Sequence, residues 1–286
     1  MLNPSLVAAA ADRFGTGAAA GRAATLVTAT QSMTAMLVAP LVALPALWWG
    51  WRGDLMAVTV IALILAPVVF RSGRHASAAE PDKSARLGYL ASFTALAAVP
   101  GAVPLLLIAL LHTAAFMGYL SYLAAVYDSY FQIPPGPFAL VWTLSGTFFF
   151  LGNLLTGRFS NTAVPKVRTE HLLLVALLVA LVCMVSFYLV PVLALALALT
   201  ALLGASHAAV AACIISLLVR RCGGLRGSAF SLTSAAMSAG TFVGASLGGV
   251  GLWLAGYPGT GLVLGSLTLV ALGLTQLVRR SGSTPA

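Results

Sequence analysis

The sequence predicts an all-α, polytopic membrane bundle of eight transmembrane helices. Three observations predict it. Of 286 residues, 60% are apolar and 7% charged, whereas a soluble domain carries about 25% charge, and the mean hydropathy is +1.01. The apolar residues come in runs long enough to cross about 30 Å of hydrocarbon, which takes roughly 20 helical residues. The 28 glycines and 14 prolines would break soluble helices, but both are common in spanning helices, whose neighbours satisfy the freed backbone groups.

In chain order the runs lie at 23–48, 54–70, 103–127, 137–157, 172–190, 192–219, 228–254 and 258–278. Leu172 to Val219 is 48 residues without a formal charge. As one helix it would reach about 72 Å, so it folds as a hairpin turning near Pro191. Leu87 to Tyr127 is also uncharged for 41 residues, and charge decides how many spans it holds. With one span there, 14 of the 15 Lys and Arg fall on one side and only Arg52 on the other. A second span would make the split six to nine, against the positive-inside bias. Arg86 to Gly101 therefore reads as an interfacial segment. The expected localisation is the inner, cytoplasmic membrane of a cell, multi-pass, with both termini cytoplasmic.

Charge and cysteine usage exclude other classes. The net charge of +9 is spread between apolar runs rather than clustered on one face, so nucleic acid is not an expected partner. Cys183, Cys213 and Cys222 have no paired spacing, so neither a disulfide framework nor a metal site follows. The apolar runs hold no paired acids and the sequence has no HExxH, so no enzyme and no cofactor are expected. The polar stretch 71–86 divides the chain into 1–70, a linker with its interfacial segment at 71–102, and a bundle at 103–286.

A shift of 205 lays 23–48 over 228–253, with identities at Ala24/Ala229, Thr28/Thr233, Val38/Val243, Leu47/Leu252 and Trp48/Trp253. Ala35, Ala39 and Ala43 then fall on Gly240, Gly244 and Gly248, giving both spans a small-residue stripe that admits a close helix. If the first and seventh spans are equivalent, the counterparts of spans three to six would lie upstream of Met1.

At these residues the chain resembles the major facilitator superfamily, specifically its twelve-helix drug/proton antiporter efflux members. Gly21-Arg22-Ala23 is similar to the basic turn before that family's fifth helix, and Ala35, Ala39, Pro40 and Ala43 to the helix-packing stripe that follows, with Ala in place of Gly. Gly50-Trp51-Arg52 is similar to the entry to the sixth helix. Gly157-Arg158-Phe159-Ser160-Asn161-Thr162 is similar to the cytoplasmic loop motif after the eighth, although Asn161 and Thr162 replace an acid and a base. The resemblance implies a partial twelve-helix fold: 1–70 as the last two helices of one bundle, 103–286 as the whole second bundle, and the first four helices without counterpart.

Polar groups inside the spans are the candidates for recognition, since a buried charge costs about 2.5–3.5 kcal/mol on insertion scales. His112, Phe116, Tyr119, Leu123 and Tyr127 recur at helical spacing on one face of the third span. Trp142 and Asn153 share a face of the fourth, Gln31 lies on the first and His207 on the sixth. The resemblance makes the third span line the central cavity, so Gln31, His112, Phe116, Tyr119, Trp142, Asn153 and His207 are the expected substrate-cavity residues. His112 sits about 14 Å from the start of its span, and an imidazole with a pKa near 6.5 suits a proton carrier. His112 and Asp128 are the proton-coupling candidates. The expected function is proton-coupled efflux of a small molecule by alternating access, with the bilayer, that solute and protons as partners. The alternatives are a truncated or inactive transporter fragment and a polytopic membrane enzyme or assembly factor.

Overall fold

The computed structural model describes residues 22–23, 26–27, 45, 49–75, 89–160 and 168–281, and every regular element among them is helical. Helix α1 (Trp51–His75) follows Gly50, whose φ of 59° suits glycine, and carries Asp54 in its first turn, where a carboxylate complements the helix dipole. Helix α2 (Tyr89–Ala97) is nine residues, about 13 Å, too short to cross a bilayer. The chain then turns through Gly101, at φ 80°, into α3 (Ala102–Phe131).

Gln132 ends α3 in the left-handed region, its N–H donating to Asp128 O at 2.9 Å. Pro135 opens α4 (Pro135–Ser160), a first-turn position where the missing N–H costs nothing. Helix α5 (Thr169–Leu189) stops at Val190, before Pro191, and α6 (Leu193–Arg221) follows. Proline disfavours helical geometry in the residue before it, which puts the hairpin turn there. A short 3-10 turn (Gly223–Leu225) leads into α7 (Arg226–Ser281).

Helix α7 runs 56 residues but leaves helical geometry at Ala255 and Gly256. The Thr260 hydroxyl donates to Gly248 O at 3.1 Å, although twelve residues along a straight helix span about 18 Å. The chain therefore doubles back, and 226–254 and 257–281 are two arms lying side by side.

Six helices among the described residues are long and apolar enough to cross a membrane, not the eight expected. The expected spans at 228–254 and 258–278 fall in α7, because their reversal takes only two residues. The expected first span, 23–48, lies outside the described residues except for a few positions.

Glycines set how closely the bundle packs. Helix α3 lies against the first arm of α7, where a Cβ on Gly240 would stand 2.5 Å from Leu110 O, one on Gly244 would run into Ala114 O, and one on Gly248 would stand 2.6 Å from the Tyr122 ring. Helix α4 meets α6 in the same way, with Gly152 on the Ala205 backbone and a Gly204 Cβ 2.6 Å from Ser145 O. The second arm of α7 takes Tyr188 and Val185 of α5 over Gly261 and Gly265. Lipid tails are as apolar as leucine, so such backbone approach, rather than water exclusion, holds membrane helices together.

Candidate functional site: a buried histidine pair

Helix α3 brings its predicted stripe inward. His112 and Phe116 are 3% and 4% exposed, and Tyr119, Leu123 and Tyr127 are fully buried. His112 is the eleventh residue of α3 and His207 the fifteenth of α6, about 15 and 21 Å from their helix starts. Both lie in the middle third of the bundle.

There the two imidazoles meet. Their centroids are 4.8 Å apart with planes inclined 31°. Phe116 stacks on His207 at 3.9 Å and 8°, and Phe149 of α4 approaches the same ring at 5.7 Å, inclined 33°. Nδ1 and Nε2 of His112 and Nδ1 of His207 make no hydrogen bond among the described residues. A buried polar atom without a partner costs about 1–3 kcal/mol, and native proteins hold few of them. Toward the Gln132 end of α3, two of the buried hydroxyls are satisfied, while that of Tyr188 meets no partner among the described residues. Tyr119 and Tyr127 both hydrogen-bond the Thr200 hydroxyl, at 2.8 and 2.9 Å, and Tyr119 sets an edge against Phe187.

The remaining predicted residues lie on α3 and α4 or outside the described residues. Asn153 is buried on α4, while Trp142 is 37% exposed and holds an edge contact to Phe138. Asp128 is exposed near the end of α3, and at the end of α4 Gly157 is buried and Arg158 exposed. Gln31, Ala35, Ala39, Pro40, Ala43 and Asn161 lie outside the described residues. Sequence reasoning named both histidines but did not pair them, although two histidines at similar depth on separate apolar helices were a usable signal.

Sequence reasoning missed a second polar centre, at the arginine-rich end. Arg221 closes α6 and reaches four groups: Glu170 Oε1 at 3.0 Å, Val278 O at 3.2 Å, Ser281 Oγ at 3.1 Å and Pro100 O at 3.4 Å. A Cβ on Gly101 would run into its guanidinium. One side chain thus ties the start of α5 and the end of α7 to the turn before α3. The signal was present, because Glu170 is an acid opening an otherwise apolar helix.

Residues 1–224 match the sequence profile of the Major Facilitator Superfamily. The chain belongs to that superfamily. No curated protein sequence matches it. Among solved structures it is similar to the human organic anion transporter MFSD10 (TETRAN), with a TM-score of 0.68 and 17% identity, covering 94% of this chain and 66% of that one. At this identity the likeness is one of fold, and this facilitator chain spans less than two thirds of that transporter's length. Membership and the six candidate spans make it a multi-pass membrane protein. Major facilitators move solutes rather than transform them, so at family level it is not an enzyme.

Proposed function

We propose that the chain works in proton-coupled efflux of a small amphipathic or hydrophobic molecule by alternating access, with the histidine pair taking the proton. The observation that carries this is the pair itself: two imidazoles in contact at mid-depth, between α3 and α6, with three ring nitrogens unmet by the described residues. A neutral imidazole offers both a lone pair and an N–H, so one histidine accepts a proton and the other then accepts a hydrogen bond from it. The flat faces of Phe116 and Phe149 favour a solute with apolar surface. Asp128, exposed at the end of α3, is the second candidate for a proton relay.

On this reading the chain holds eight spans, 1–70 is the end of one helical bundle, and 103–286 is a six-helix bundle that rocks against it around a midplane site. The arginine-rich end faces the cytoplasm, following the positive-inside bias. The small-residue stripe at Ala35, Ala39 and Ala43 on the first span is the counterpart of the glycines on α7.

The test uses the full chain in proteoliposomes under an imposed pH gradient, with carboxyfluorescein as an organic anion and ethidium as an amphipathic cation. His112→Ala should reduce gradient-driven flux of the transported probe by at least tenfold and spare its exchange without a gradient. Driven flux equal to wild type would remove His112 from coupling.

A further inference from the structure

We propose that the groove between the start of α5 and the end of α7, at the arginine-rich rim, binds the headgroup of an anionic phospholipid. The groove holds a cavity of about 260 Å³ lined by Arg168, Glu170, His171, Gln276, Arg279 and Arg280. Three of the six carry guanidinium groups, and the Arg279 guanidinium stands 3.4 Å from His171 Nε2. Glu170 is the single acid there, and Arg221 holds its Oε1 at 3.0 Å from outside the cavity lining. With that carboxylate held by Arg221, guanidinium groups outnumber acids in the lining. Guanidinium forks match phosphate oxygens in pairs.

The apolar continuation selects a lipid over a free phosphate. From His171, positions four and seven residues on are Val175 and Leu178, exposed by 54% and 46%. These three share one helical face. On the last arm of α7, positions three and seven residues before Gln276 are Gly273, with open space where a Cβ would stand, and Leu269, 55% exposed. The two helices pack against each other, and the exposed apolar residues next to the cationic cavity on both of them continue its line along the bundle. That pairing of a charged head and an apolar track along one line is the outline of a diacyl phospholipid. Basic pockets between spanning helices at a membrane rim are known to hold anionic headgroups.

The experiment measures lipid retained by the purified full chain after exchange into detergent from bilayers of equal phosphatidylglycerol and phosphatidylcholine. Wild type should retain phosphatidylglycerol in clear excess. The double variant Arg279→Gln/Arg280→Gln should lose that excess by roughly 30-fold, from about 1 kcal/mol for each cation near an anionic surface. Arg158→Gln, at the end of α4, removes one charge elsewhere and should leave retention unchanged. Arg168→Gln, at an exposed position flanking α5, is the gentler probe should the double variant elute as aggregate, and should lower retention by about fivefold. Equal retention of the two lipids by wild type overturns the proposal, as does wild-type retention in Arg168→Gln. Inorganic phosphate displacing the bound lipid at millimolar concentration, with no preference left between the two lipids, would assign the cavity to a free anion instead.

Discussion

The two polar centres of this bundle solve the same problem in opposite ways. At the rim, Arg221 meets four partners across three segments of chain. At mid-depth, His112 has both ring nitrogens unmet by the described residues and lies against His207, on which Phe116 stacks. The rim centre borders water and can recruit backbone carbonyls exposed at helix ends. Within the spans carbonyls already serve their own helices, and of the side chains there Tyr122 reaches one across helices, donating to Ala245 O at 2.9 Å, while His112 reaches none. A polar residue kept where no partner is available costs stability. Such a cost points to function, while a saturated network points to architecture.

Three measurements press on that contrast, from the largest effect to the smallest. Arg221→Ala strips Glu170 of its partner and unties the start of α5 from the end of α7. Thermal unfolding in detergent should show a loss of about 3 kcal/mol, the scale for breaking a partly buried ion pair from one side. A loss under 1 kcal/mol would make the rim centre decorative. His112→Phe should behave oppositely, leaving stability unchanged or raising it by about 1 kcal/mol, because an unmet polar group is replaced by a ring of similar shape. A marked destabilisation would mean that His112 has an architectural partner after all.

The smallest effect concerns Cys222, the residue that caps α6 beside Arg221. Burial pushes its thiol up from 9.0 to about 11. Since the thiolate is the reactive form, on the order of 1 in 3,000 thiols is ionised at pH 7.5. Maleimide labelling of Cys222, followed site by site by mass spectrometry, should be slow in the folded protein and rise about tenfold per pH unit below 11. Rapid labelling at pH 7.5 would mean that the rim opens more readily than its bonds suggest.

Much of the fold was legible residue by residue. Pro191 marked the hairpin between α5 and α6, and apolar run lengths located the long helices to within a few residues. Six long helices among the described residues do not match the count of eight: the last two runs are the two arms of α7, which reverses within Ala255 and Gly256, and the first run, 23–48, lies outside the described residues but for a few positions. The helical spacing of His112, Phe116, Tyr119 and Tyr127 correctly implied one face, and that face is buried. The Arg221 centre was not legible, because its partners Val278, Ser281 and Pro100 contribute two carbonyls and a hydroxyl from distant positions.

By itself, then, the sequence determined the membrane class, the bounds of the long helices, the face each stripe occupies and the superfamily. These follow from local properties, namely hydropathy, period and turn residues. The tertiary structure decided which faces meet. Helix α3 packs chiefly on α7 rather than on α4, the next helix in the chain, because Gly240 and Gly244 let backbones approach closely where other side chains would hold them apart. Through the same assembly His112 meets His207 and Arg279 joins Arg168 around one cavity, pairings between residues about a hundred positions apart that no local pattern encodes.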